Sequence, residues 1–444
     1  MKIFILKNAF LITLMFFLFL YFPAYAENRY NLEQLFDIAV QKAEIIAISR
    51  EENLISGYQK DKAFSTLIPD VYAMAGHRRY SDKKSASMTF GPIPSFGSVS
   101  FDRMVQPENA SNWGAGLKQE LSLGGREFIA VSISKDAMKK SKYEINRISE
   151  EYLMNVATAY FNVLKAIEAA HVAESNRERL KVHRDSSEKR FIVGKDTKTI
   201  LLRAEAELSG AEAQLVSTEN GLELSKIILA RLVGLETDFT LEKSPLKEPD
   251  DIEIEPLLEK AYSNRSEMMQ ANLDKKISGK QVKYARGSYY PGLSINGVYS
   301  KTDTDPGGLN DVDEEIYIEA ALTLPIFEGG FRKADVREAK ARRRQSTLLY
   351  LDTKKNVSVE VKQAILNLTS EKKTLKSYED QLVSSKENFK VISRQFDVGL
   401  ASSVDFIDAN TLLLVAETQL AEAYYNYQHA IIQLKKATGE LLKK

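Results

Sequence analysis

Residues 190–234 and 395–439 carry one pattern twice, 205 positions apart and without a gap. Phe191-Ile192-Val193-Gly194 becomes Phe396-Asp397-Val398-Gly399, and Ala211-Glu212-Ala213-Gln214-Leu215 becomes Ala416-Glu417-Thr418-Gln419-Leu420. Gly234 maps onto Gly439, and Gly124-Gly125 onto Gly329-Gly330, at the same offset. A repeat this long constrains the fold more than the 444-residue length does, because both halves must share one architecture.

Each half reads as mostly helix. Asn31 is a plausible N-cap, and Leu32, Leu35, Phe36, Ala39, Val40 and Ala43 recur at helical spacing toward Thr66, before Pro69. A second helix is expected from Gly125 to the turn at Val193-Gly194. That is about 100 Å at 1.5 Å per residue, too long for a compact globule, so it must pack sideways in a bundle or coiled coil. The second half repeats this scheme, from about Pro256 to Gly287 and from Gly330 to Phe396. A turn at Val398-Gly399-Leu400 and a last helix to Gly439 follow. Residues 235–255, with Pro245 and Pro249, form a linker.

Period-2 alternation interrupts the helices once per half. Leu293, Ile295, Gly297 and Tyr299, then Ile316, Ile318, Ala320, Leu322 and Leu324, flank a turn at Asp305-Pro306-Gly307-Gly308. Val71–Tyr80 and Asn112–Leu123 are the first-half counterparts. Strands of about ten residues with one apolar face suit an outer-membrane barrel. Four strands cannot close one, and open edges are not tolerated in lipid, so several chains must share it. Three copies give twelve strands. Trp113, Tyr299 and Tyr317 are candidates for an interfacial girdle. A soluble hairpin pair packed on a bundle would show the same alternation.

Composition narrows the function. Lysine plus arginine and aspartate plus glutamate each number 61, so no basic footprint for nucleic acid exists. Cysteine is absent. The four histidines lack zinc-helix spacing and no phosphate loop occurs, so neither an enzyme nor a metal or cofactor site is expected. Lys2 and Lys7 precede an apolar run, Ala9–Phe22, that ends in Ala24-Tyr25-Ala26; residues 1–26 read as a secretory signal peptide.

Together these features resemble the TolC family of outer-membrane efflux channels. The resemblance spans residues 30–440. It is carried by Asn31–Ala39 at the opening helix, by Leu67-Ile68-Pro69 and Tyr290-Pro291 at helix-to-strand corners, and by Leu121–Gly125 and Leu324–Gly330 at strand-to-helix corners. Phe191–Gly194 and Phe396–Leu400 match the family's periplasmic tips. The family fold implied is mostly α with a β-barrel part. It is a homotrimer whose twelve-stranded outer-membrane β-barrel continues into a twelve-helix periplasmic α-barrel, built from a tandem structural repeat. The organisation expected is a first repeat at 27–234 (hairpin about 70–123, tip about 193–199), the linker at 235–255, and a second repeat at 256–444 (hairpin about 292–326, tip about 397–403).

The function implied is a passive exit duct of a tripartite efflux or type I secretion system. Its partners would be outer-membrane lipid, a periplasmic adaptor and an inner-membrane pump of the RND, ABC or MFS type. Alternatives are a periplasmic coiled-coil adaptor or a structural envelope rod. By resemblance, Val193, Gly194, Lys195, Val398, Gly399 and Leu400 dock the adaptor. Asp405 and Asp408, three residues apart on one helix face, would line the periplasmic aperture; a trimer would gather six carboxylates, favour cations and raise some of their pKa values. The bland reading of these acids is a favourable interaction with the helix dipole. The first repeat has Ile200 and Arg203 in their places. Some relatives lock the tip with a tyrosine, an arginine and an aspartate, where this chain has Phe396, Ala401 and Ile200. The gate is therefore expected to rest on packing of Phe396 and on an Arg203–Asp408 pair.

Overall fold

A computed structural model describes residues 29–93, 97–248, 252–307 and 313–442. The expected signal peptide lies outside the described residues. In order the elements are β1 (Arg29–Tyr30), α1 (Leu32–Lys42), α2 (Glu44–Ser65), β2 (Asp70–Arg79), β3 (Lys84–Ile93), β4 (Gly97–Gln106), β5 (Asn109–Ser122) and α3 (Arg126–Ile192). There follow α4 (Lys198–Val233), β6 (Thr240–Leu241), α5 (Ile254–Asn264), α6 (Ser266–Gly287), β7 (Gly292–Asp305), β8 (Glu314–Thr323), α7 (Phe331–Asp397) and α8 (Ser403–Ala437). The chain is mostly helical, and α3 and α7 have the same length, 67 residues.

Two compact units form. One takes the chain up to Ala47, Ile148–Ala261 and everything from Ser358 on; the other takes Ile48–Arg147 and Tyr262–Val357. In the first unit, α1 is held by a capping box. The Asn31 side chain accepts from the Gln34 N–H at 2.9 Å, and the Gln34 side chain accepts from the Asn31 N–H. Its face of Leu32, Leu35 and Ala39 packs into a core with Val156, Tyr160 and Val163 of α3, Leu229 and Val233 of α4 and Ile432 of α8. The expected linker is partly strand: β6 pairs in parallel with β1. The Tyr160 hydroxyl donates to the Glu242 carbonyl (2.6 Å), so this crossing is bonded to the wall.

In the second unit, β2, β5, β7 and β8 form one antiparallel sheet in that order. Its register sorts the side chains. Val71, Leu117, Gly297 and Ile318 are directly opposed across the four strands, and with Ala73, Ala115, Leu293, Ile316 and Leu322 they make one apolar face. Asp70, Lys118, Asn296 and Glu319 oppose one another on the other face. Ile318 is 83% exposed, although nothing polar surrounds it on its own face. Trp113 and Tyr299 meet edge-to-face on the apolar side at 5.8 Å. Tyr317 does not join them: it opposes Val298 on the polar face, because the girdle reading ignored strand parity. At one strand-to-helix corner the Gly124 and Gly287 backbones touch; a Cβ on Gly124 would lie 2.5 Å from the Gly287 carbonyl oxygen.

Two features depart from the sequence reading. Each short helix is broken, at Ala43 and at Arg265, where the backbone turns extended (ψ 120° and 132°). Neither break has a proline or glycine to announce it; both residues are buried, so packing sets the bend. The two stand 222 positions apart, like Pro69 and Pro291. The loop between β2 and β5 is also not featureless: β3 and β4 pair as a separate two-stranded ribbon.

Candidate functional site: the helical tips

In the first unit two tight turns join α3 to α4 and α7 to α8. Both are Schellman caps, with the same bonds one repeat apart. Gly194 N–H donates to Phe191 O (2.9 Å) and Lys195 N–H to Arg190 O (2.8 Å); Gly399 N–H donates to Phe396 O (3.0 Å) and Leu400 N–H to Gln395 O (2.8 Å). The left-handed residue is glycine in each, with φ of 74° and 84°. The cap exposes apolar side chains: Val193, Val398 and Leu400 all face outward, and a Cβ on either glycine would meet open space.

Phe396 is the opposite case, at 2% exposed. It packs against His183 of α3 (4.8 Å) and Phe406 of α8 (5.5 Å), and the His183 ring stacks on Phe406 at 4.2 Å and 7°. The His183 Nε2 shares a 3.0 Å hydrogen bond with the Ser403 hydroxyl, while Nδ1 finds no partner among the described residues. Burial pushes the imidazole down to about 4, so it is neutral at ordinary pH.

Arg190 organises the turn. Its Nε pairs with Asp196 at 3.0 Å, its Nη1 donates to the Phe396 carbonyl at 2.9 Å, and the guanidinium lies 5.0 Å from the Phe396 ring centre. One cation thus bonds the first turn to the second. Sequence reasoning passed over both Arg190 and His183. The available signal was position: each lies about three turns or less from a tip.

The expected aperture residues divide. Asp405 closes a capping box on α8, its carboxylate accepting from the Ser402 N–H (2.8 Å) and hydroxyl (2.7 Å). These two bonds, the hydroxyl's first, hold its carboxyl below the usual range. Within one chain the helix-end reading of Asp405 therefore holds. Asp408 and Arg203 are both exposed, and no ion pair joins them inside the chain among the described residues.

Behind the tip, α3 and α8 run antiparallel along a polar ladder. Asn410 Nδ2 donates to Asn176 Oδ1 (2.8 Å), both side chains buried. Arg179 Nε donates to Asn410 Oδ1 (2.8 Å) and its fork engages Glu417 (3.0 Å). Lys165 donates to Asn426 (2.6 Å), and Thr158 meets His429 (2.9 Å).

The family model described as "outer membrane efflux protein" matches residues 56–235 and 257–440, nearly all of both halves. The chain belongs to the outer membrane efflux protein family. Membership places it in the outer membrane. Among its relatives, the outer membrane protein TolC of Vibrio cholerae is 23% identical over 399 residues, 88% of this chain and 91% of that protein. TolC of Escherichia coli is 24% identical over 302 residues, 65% of this chain but only 61% of that protein. The alkaline protease secretion protein AprF of Pseudomonas aeruginosa is 22% identical over 305 residues, covering 66% and 62%. In fold, this efflux-family chain matches VceC of V. cholerae (TM-score 0.76, 16% identity, covering 92% and 96%) and the Campylobacter jejuni CmeC channel (TM-score 0.77, 20% identity, covering 92% and 86%).

Proposed function

We propose that the chain is a passive outer-membrane exit duct for efflux or secretion, working as a homotrimer gated at its helical tips. The observation that carries this is the sheet. Four strands leave β2 and β8 as unpaired edges, with one mainly apolar face and one mainly polar face. In lipid such edges must be paired, and pairing β8 of one copy with β2 of the next closes twelve strands around a polar lumen. The second unit supports this at its flanks: Ile48, Ile55, Tyr58 and Phe64 of α2 and Leu348, Leu349 and Leu351 of α7 are exposed, and lie on the helices that adjoin those two edge strands.

Gating, and partnership with an adaptor and an inner-membrane pump, deepen the same reading. The exposed Val193, Val398 and Leu400 around Gly194 and Gly399 offer an apolar docking surface to a helical adaptor, with Lys195 beside them. Buried Phe396 with its Arg190 bond holds the turn shut. Asp405 and Asp408 would ring the aperture, and since Arg203 does not meet Asp408 within a chain, that pair would form between copies. Names such as AprF's make protein secretion one candidate cargo; the energy would come from the pump.

Detergent extraction of outer membranes and recording in planar bilayers test the proposal. Trimers should form cation-preferring channels, and Asp408→Asn should weaken that preference. A soluble monomer without conductance would overturn it.

A further inference from the structure

The β3–β4 ribbon has no counterpart between β7 and β8 among the described residues, and its side chains are sorted by face. The register opposes Met88 to Phe101 and Phe90 to Val99, so with Ala86 these side chains share one face. Ser85, Ser87, Thr89, Ser100 and Asp102 fall on the other with a single Met104 at the base, and Ser87 and Asp102 are hydrogen-bonded. Phe90 and Phe101 meet edge-to-face at 6.3 Å, yet Met88, Phe90 and Phe101 are each more than half exposed. The charges on this face sit at its base, Arg103 opposite Ala86 and, by strand alternation, Lys84. A two-stranded ribbon is marginal alone in water, so a face like this one calls for a cover.

Lipid is not that cover. A barrel strand of about 9–11 residues already spans the membrane, and β2 supplies 10 before the ribbon begins. We infer that the ribbon's apolar face is covered by the same face of the other copies, so that the ribbons pack together beyond the barrel and narrow its outer mouth with Met88, Phe90 and Phe101. The inference rests on the trimeric reading above. Three considerations select a second copy over a foreign partner. The outer part of the face, Met88, Phe90 and Phe101, is uncharged and so complements itself. Closure of the sheet brings one ribbon per copy to one rim. Reach also suffices: ten residues extend about 33 Å, whereas twelve tilted strands at about 4.8 Å spacing give a radius on the order of 12 Å.

The chain has no cysteine, so single cysteines report contact cleanly. Phe101→Cys and, directly opposite it, Met88→Cys are oxidised with copper phenanthroline in detergent-purified oligomer, beside Ser100→Cys on the hydroxyl face. Disulfide-linked dimers should be several-fold more abundant for the first two than for Ser100→Cys; Met88→Cys keeps the test valid should Phe101→Cys misfold. Equal linking from both faces, or none while trimers persist, overturns the inference and leaves the duct intact. Monomers from the unaltered chain would overturn the duct reading itself.

Discussion

At the scale of single residues, the tip depends on Arg190 and His183 more than on the acids that attract the eye in the sequence. Arg190→Ala strands a nearly buried Asp196 and leaves the Phe396 carbonyl with one donor fewer, a loss of roughly 2–3 kcal/mol by the usual weight of charged hydrogen bonds. Faster amide exchange at residues 396–400, together with higher resting conductance, is the expected outcome. His183 sets a pH dependence. Its folded pKa of about 4 lies below the unfolded value of 6.5, so the unfolded chain binds the extra proton first. Stability contributed by the neutral ring is complete above 6.5 and falls as pH drops toward 4, by at most about 3 kcal/mol. Denaturant midpoints between pH 7 and 4 should show that slope, and His183→Phe should flatten it while keeping the stack on Phe406. The helix-end position of Asp405 was legible from the sequence because capping is local. Arg190 was not, because its partners on α7 lie 206 positions away.

At the scale of elements, legibility follows the same division. The long helices, the two glycine turns and the four strands of the sheet could be read from period and punctuation, since each is dictated by neighbours in the chain. The breaks at Ala43 and Arg265 could not, because no local residue demands them, and the β3–β4 ribbon was hidden by the Gly, Pro and Ser content of its loop. The turns make a direct prediction. Gly399 sits at φ 84° with empty space around it, so Gly399→Ala meets no clash and costs only the left-handed backbone, about 1–2 kcal/mol. Trimers should survive with a slightly lower melting temperature. A bulky Gly399→Trp should abolish export without dispersing trimers; loss of the trimer instead would reduce the turn to a plain hairpin corner.

At the scale of the whole molecule, neighbouring residues of one strand should answer to different solvents. Ile318→Arg faces hydrocarbon in the proposed barrel and should cost about 2–4 kcal/mol, seen as loss of heat-modifiable folded trimer. Glu319→Arg, one position on, should leave folding intact and shift ion selectivity toward anions. Equal damage from both would remove the assignment of faces. The ladder between α3 and α8 has a further consequence for motion. The Asn176–Asn410 bond is buried, and it is flanked by the Arg179 fork on Glu417, so sliding one helix along the other by a single turn would bury several unmatched polar groups at once. These two helices therefore behave as one splint with a single permitted alignment. In the gate proposed above, opening at the tips would have to swing that splint as a piece, with the give coming from the seams that such pegs do not cross.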